Sequence, residues 1–549
     1  MNRSTSRVII TSAPPNPNGD LHLGHLSGPF LGADVLRRHL RQTGYDVRYV
    51  GYSDDHSCYV PRRGAELDRG PHATAHVFGR RMEETLGLAH MQHDYFTHPL
   101  REPMHADIVR RFFLELWEKD AFRVEELPVY WCEPCERYLY EAEMRGLCQY
   151  CAAPADGFYC EECGRPQETT GLVDAKCTRC GTGPQTRTLR RIVFPLDDYR
   201  ERLRDYYADR PMRPALRAYL DDMLSRPLPL TTVSREADYG VPVPLPEFSG
   251  HILDTWYSGI WGYVAATVGY ATALGEPEEA LEAWADPATR VYEFIGFDCS
   301  FSHAILWPAL FMAHGGFQLP EQVVTNEFYR LEGDKFSTSR DHAIWGNEFL
   351  RRVPADQMRF YLCLTGPERE QTSFSAKDFS AVTQQVLVDG LQTWAGTVLR
   401  LTAEDFGGKV PERGTAPGGA VDGAARTLAE RVAAALDPDD FSPQAAARAL
   451  RDAIEVFAAD TPELERLRAA GGQEYAGRLR AHLDAAATLA ATSAPLIPAF
   501  AEQLWTALGL SLDHVFTRVI PWPSAEEKPL DAAGPLRDAL PELFRPVTV

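Results

Sequence analysis

Thr11-Ser12-Ala13-Pro14-Pro15-Asn16-Pro17-Asn18-Gly19-Asp20-Leu21-His22-Leu23-Gly24-His25 is the stretch that decides how the rest of the chain is read. The apolar run Val8-Ile9-Ile10 before it reads as a buried strand, and Leu26 to Leu40 after it has apolar residues at helical spacing. The order is strand, loop, helix. Two imidazoles three residues apart, with Gly24 beside His25, fall at the expected helix start, where free N–H groups and the helix dipole favour phosphate. Such a pair can donate hydrogen bonds to a polyphosphate whose negative charge grows during displacement.

At 549 residues the chain exceeds one core, and two to four domains are expected. The first residues, MNRSTSRVII, contain no apolar export segment, and no later run approaches a membrane span, so a cytoplasmic protein without membrane contact is expected. A formal charge of -21 gives a field that repels polyanions overall, which a local basic patch can override. Of 11 cysteines, eight fall in four CxxC pairs: Cys132/Cys135, Cys148/Cys151, Cys160/Cys163 and Cys177/Cys180. Pairs on short chelating turns match tetrahedral thiolate zinc, and eight thiols supply two structural Zn2+ sites with no open coordination position. The expected grouping is nested, the two central pairs forming one knuckle and the outer pairs the other; an iron–sulfur cluster is the competing reading.

Farther along, Val47 to Tyr52 reads as a strand ending at Ser53-Asp54-Asp55-His56, where α/β sheets bind ligands. Ile252 to Tyr263 is rich in aromatic residues, Phe294-Ile295-Gly296-Phe297-Asp298 precedes Phe301-Ser302-His303, and Lys335-Phe336-Ser337-Thr338-Ser339-Arg340 is a polar, basic loop. After Phe379 the chain is rich in Ala and Leu, with 3.6-period stretches at 445–457 and 475–490 that read as a bundle of about four or five helices.

The histidine pair and the late lysine/serine loop, in this order, resemble the two signatures of class I aminoacyl-tRNA synthetases, and the segments between them look most like a methionyl-tRNA synthetase. The resemblance implies an α/β class I synthetase with a Rossmann-like nucleotide-binding core, a zinc-knuckle insertion and an all-α C-terminal bundle. It divides the chain into core halves at 1–115 and 191–370, an insertion at 116–190, a bundle at 371–520 and a tail at 521–549, and it favours zinc over iron. By the same resemblance His22, His25, Lys335, Ser337 and Arg340 are catalytic, and Asn18, Gly24, His25, Gly296, Asp298 and Phe336 hold ATP, with Mg2+ accompanying it. Ala13, Asn16, Asp54, Thr231, Arg235, Trp256, Ile260, Tyr263, Ser302 and His303 form the amino-acid site, with Asp54 on the α-amino group.

The chain departs from the family pattern. Thr338 stands where the second signature lysine is expected, and Pro14, Asn16, Thr231, Ile260 and Ser302 replace larger or apolar pocket residues. Thr393 and Thr397 stand where the family reads the anticodon with an asparagine and an arginine, and no Pro-Trp pair is found near Thr461-Pro462. A thioether needs apolar contact. The expectation is therefore activation of a small or polar amino acid, followed by transfer to a hydroxyl or N-hydroxylated amine rather than to tRNA. Family members altered in this way act in natural-product pathways beside a cupin enzyme. The alternatives are a divergent methionyl-tRNA synthetase and a non-catalytic, tRNA-binding or regulatory paralogue.

Overall fold

The computed structural model describes residues 7–167, 170–336, 342–413, 419–512, 520 and 529–547. Its centre is a parallel sheet of β1 (Arg7–Ser12), β2 (Asp46–Tyr52), β3 (Tyr95–Thr97), β4 (Arg290–Gly296) and β5 (Gln322–Asn326), in spatial order β5-β4-β1-β2-β3. Ile10 lies between Tyr49 and Tyr292 in register. Val8, Ile9 and Ile10 are buried, which explains their unbroken apolar run: a central parallel strand is covered on both faces. The chain leaves β1 toward β2 on one side and returns at β4 on the other. The carboxyl ends of β1 and β4 therefore flank a topological switch point, where open α/β sheets hold ligands.

The helix expected from Leu26 to Leu40 is present but kinked rather than regular throughout. Leu23–His25 is a single turn, Leu26–Phe30 is a wide π turn, and regular helix α1 runs from Leu31 to Gln42. Pro29 lacks an N–H to continue an α-helical ladder, and Gly28 is non-helical at φ -97 and ψ -116. Gly28 also allows close packing, since a Cβ there would come within 2.6 Å of Asn326 Nδ2.

Between the core halves, Arg123–Cys132 and Gln185–Phe194 form a long antiparallel ribbon, in register from Arg123↔Val193 to Trp131↔Gln185. The ribbon carries the cysteine segments at its far end, around a small cluster that includes Leu139, Met144 and Leu172. Helix α2 (Thr255–Ala273) then crosses the sheet, its first turn capped by the Asp254 carboxylate accepting from Trp256 N at 3.2 Å. The bundle is present, with helices Thr393–Phe406, Gly419–Ala435, Pro443–Ala470, Gly472–Ser493 and Pro498–Ala507. Of the last segment, Phe544 is fully buried and stacks on Phe500 at 5.0 Å. Among the described residues no helix is long and apolar enough to cross a membrane.

Candidate active site

His22 and His25 cap each other's backbone. His25 N donates to His22 Nδ1 at 3.3 Å, and His22 N donates to His25 Nδ1 at 3.2 Å. A neutral imidazole whose Nδ1 accepts must carry its proton on Nε2, so each ring keeps a donor edge directed away from its own backbone. The crowded surroundings push His25 down to about 4, although its edge is open, and push His22 well below the ordinary value. Both rings are therefore neutral donors at physiological pH. They stack at 3.7 Å, and Phe336 lies on the other face of His22 at 4.6 Å. Gly24 permits this layering: a Cβ there would meet His22 and Phe336 at 2.9 and 3.1 Å.

On the far side of the switch point, Gly296 ends β4 and Asp298 follows in a tight turn. A Cβ at Gly296 would collide with Asp298 Oδ1. Burial, followed by the nearby Glu161 charge, raises Asp298 to about 6. Lys335 reaches Glu161 at 2.7 Å and also senses the Asp298 charge. Ser337 and Arg340, expected to be catalytic, and Thr338 lie outside the described residues. Asn18 belongs to the loop after β1 and is partly buried.

Asp54, at the end of β2, donates its backbone N–H to Pro15 O at 3.0 Å, while Ala13 N donates to Phe294 O at 2.9 Å, which ties the loops after β1, β2 and β4 together. Burial, with the Glu141 and Asp55 charges, holds the Asp54 carboxyl well above its ordinary range. Trp256, Ile260 and Tyr263 follow one another along α2 at i, i+4 and i+7, which places them on one face. Tyr263 OH meets His303 Nε2 at 2.9 Å and Glu293 Oε1 at 3.1 Å, and burial lowers His303 to about 4. Arg235 lies close enough to pull the Asp54 carboxyl part of the way down, and it donates to Thr255 Oγ1 at 2.7 Å and Glu141 Oε2 at 3.3 Å. Asn16 Oδ1 and Thr231 Oγ1 are buried without a hydrogen-bond partner among the described residues.

The eight paired cysteines gather into two groups, Cys132/Cys135/Cys177/Cys180 and Cys148/Cys151/Cys160/Cys163, with the sulfurs of each group within 4.8 Å of one another. That is the nested arrangement, and four converging sulfurs suit a tetrahedral soft-ligand metal. The inner knuckle leans over the first turn of α2 and the segment after β4. Phe158 stacks on Trp256 at 5.0 Å, and Tyr159 OH approaches Cys299 Sγ at 3.8 Å. Phe158, Tyr159, Glu161 and Glu141 were absent from the sequence-derived site. Phe158, Tyr159 and Glu161 adjoin or lie within the Cys160/Cys163 pair and Glu141 lies between cysteine pairs, all far in sequence from the core motifs, and only the fold brings them there.

A family profile described as tRNA synthetases class I (M) matches residues 8–399. The chain belongs to the class I methionyl-tRNA synthetase family. The methionine–tRNA ligase of Pyrococcus abyssi is 33% identical over 74% of this chain and 58% of its own length; that of Thermomicrobium roseum is 31% identical over 94% and 89%. The chain thus spans less than two thirds of the length of some curated relatives it matches. A solved Mycobacterium tuberculosis methionyl-tRNA synthetase bound by methionyl-adenylate superposes with TM-score 0.76 at 19% identity, covering 98% of this chain and all of that one, a likeness of fold.

These relatives overturn the expectation of a small or polar amino acid transferred without tRNA to a hydroxyl or hydroxylamine acceptor beside a cupin. The relatives are methionine–tRNA ligases, and two of the superposing structures hold methionyl-adenylate. The assignment to a natural-product pathway falls with it. The structure supplies a physical reason. Ser302 does not offer its hydroxyl to a ligand: Oγ donates to the Cys299 carbonyl at 3.0 Å and shares a hydrogen bond with His303 Nδ1 at 2.8 Å. Ile260 is buried in apolar core. Phe158 and Tyr159 bring rings from the insertion that position-by-position reading of the core omits. Of the five replaced positions, Pro14 and Ile260 are apolar and the Ser302 hydroxyl is satisfied within the protein, which leaves only Asn16 and Thr231 to add polarity.

Proposed function

We propose that the chain activates methionine with ATP and transfers it to tRNA. The carrying observation is the convergence, across one switch point, of the neutral His22/His25 donor pair, the Gly296–Asp298 turn and the Phe158–Trp256 ring stack, whose partner Glu141 also acts on the Asp54 carboxyl. The methionine carboxylate attacks the α-phosphorus of ATP, a bond forms from carboxylate oxygen to phosphorus, and the bond to the pyrophosphate oxygen breaks. Both Nε2–H groups stabilise negative charge on the phosphates, and Lys335 neutralises the departing pyrophosphate. Gly296 leaves room for adenine, and Asp298 accepts from the ribose diol. An ammonium group would relieve the Asp54 carboxyl, which burial and the Glu141 and Asp55 charges press and which Arg235 offsets only in part.

Each cysteine group fits one Zn2+, which when bound would brace the insertion as a folding element. Mg2+ would accompany the nucleotide. In this reading the protein works in the cytoplasm. The test is amino-acid-dependent ATP–pyrophosphate exchange across the twenty amino acids, followed by charging of an initiator or elongator methionine tRNA. Methionine-selective exchange and tRNA charging are expected; exchange with another amino acid in preference, or exchange without charging, refutes the proposal.

A further inference from the structure

Trp256 is held by the insertion as well as by its own helix. Its indole N–H donates to Oε1 of Glu141, and its ring face rests on Phe158 with planes within 6°. The other oxygen of Glu141 accepts from Cys58 Sγ at 2.8 Å and from Arg235 Nη1 at 3.3 Å. One buried carboxylate from the insertion therefore gathers donors from three separate parts of the core: the segment after β2, the Ser234–Glu236 strand and the first turn of α2. Its backbone pays for the placement. Glu141 sits at φ +42, in a region that side-chain-bearing residues rarely adopt and that recurs where geometry serves a site. Arg235 and Trp256 each have their other contacts fixed, Arg235 on Thr255 and Trp256 between Phe158 and Tyr159, so Glu141 completes the set.

We propose that Glu141 is a positioning residue for amino-acid specificity: by holding the Trp256 indole, it lets the insertion set the shape of the recess that receives the substrate side chain. The proposal rests on the reading that the recess beside Trp256 takes the amino acid. A carboxylate that only fastened the insertion to the core would affect stability without distinguishing methionine from ATP.

The experiment compares the full-length wild type with Glu141→Gln, Trp256→Phe and the double variant. Glutamine offers one acceptor where three donors converge, one of them a cation. The methionine KM in pyrophosphate exchange should rise on the order of ten-fold in Glu141→Gln, with the ATP KM within about two-fold of wild type. In the Trp256→Phe background the same change should add less than about two-fold, the signature of two residues acting as one unit. Indole 15N labelling supplies a readout independent of turnover. The Trp256 N–H resonance, assigned by its loss in Trp256→Phe, should move in Glu141→Gln, or in Glu141→Asp should the glutamine variant not fold. An unmoved resonance, an equal rise in both KM values, or additive effects in the double variant would overturn the proposal. Wild-type protein without methionine-dependent exchange would instead sink the proposed function, while the resonance would still decide whether Glu141 holds Trp256.

Discussion

Phe336 lies flat on His22, ring centroids 4.6 Å apart and planes within 8°. Phe336 is thereby seated on the histidine pair, with Lys335 next in sequence, so His22 serves as cap and platform at once. His22→Ala is expected to lower the exchange kcat by about 10²–10³-fold, the usual cost of a lost donor to developing charge. Methionine KM should change little. Steady-state exchange at saturating methionine measures both, and a near-normal kcat refutes the role.

Gly296→Ala should act on the nucleotide alone. The added methyl would collide with Asp298 Oδ1 and displace the carboxylate. ATP KM is expected to rise on the order of ten-fold or more, because small misplacements of positioning groups are costly. Isothermal titration with a non-hydrolysable ATP analogue checks it directly; unaltered affinity would remove Asp298 from the nucleotide site.

The Lys335–Glu161 pair predicts a small effect. Its side chains are 45% and 60% exposed, and exposed pairs contribute little. Glu161→Gln should therefore shift ATP KM by less than about five-fold, whereas Lys335→Ala should severely reduce kcat. A large effect of Glu161→Gln would show that the pair controls the loop.

Metal content separates the two knuckles. Protein purified under reducing conditions should contain close to two zinc ions per chain by elemental analysis, one for each four-sulfur group. Cys151→Ser should leave the outer group loaded and lower the content toward one. Loss of both metals in that variant would mean that the groups do not form independently.

His105 gives a pH prediction with a definite sign. It is 2% exposed, its Nδ1 lacks a hydrogen-bond partner among the described residues, and burial lowers it to about 3. Below the ordinary histidine value of about 6.5 the unfolded chain takes up a proton that the folded chain refuses, so this residue lowers stability as pH falls from there toward 3. Relative to His105→Gln, the wild type should lose up to about 1.4 kcal/mol per pH unit in that window. Urea unfolding at pH 7.5, 6 and 5 measures the difference; a constant difference would refute the assignment.

What the sequence makes legible is local. Val8-Ile9-Ile10 announces a buried strand, which the sheet shows to be central and parallel, and the CxxC spacing announces two chelating groups because each pair is built within one turn. The helix after Gly24 is legible but its kink is not, since Pro29 and Gly28 impose a π turn that apolar spacing does not encode. The amino-acid side is misread for a different reason. Hydrogen bonds such as Ser302 to Cys299 and His303 hide a polar residue's polarity, and Phe158 reaches Trp256 through the tertiary fold alone. Motifs reveal which groups are present, while the chemistry of a recess depends on which of them are already satisfied.

The placement of β1 also governs how the chain comes to be folded. One edge of β1 pairs with the early β2, but the other awaits β4, whose Arg290 meets Val8 only after the ribbon, both knuckles and α2 have been made. At ordinary rates of synthesis that edge stays unpaired for roughly 15 to 60 s, displaying a run of three branched apolar residues of the kind that templates misassembly. The order of synthesis thus makes the insertion's own folding a step that precedes closure of the sheet, and a chain slow to fill its cysteine groups would prolong the interval in which the centre of the molecule is open to other chains.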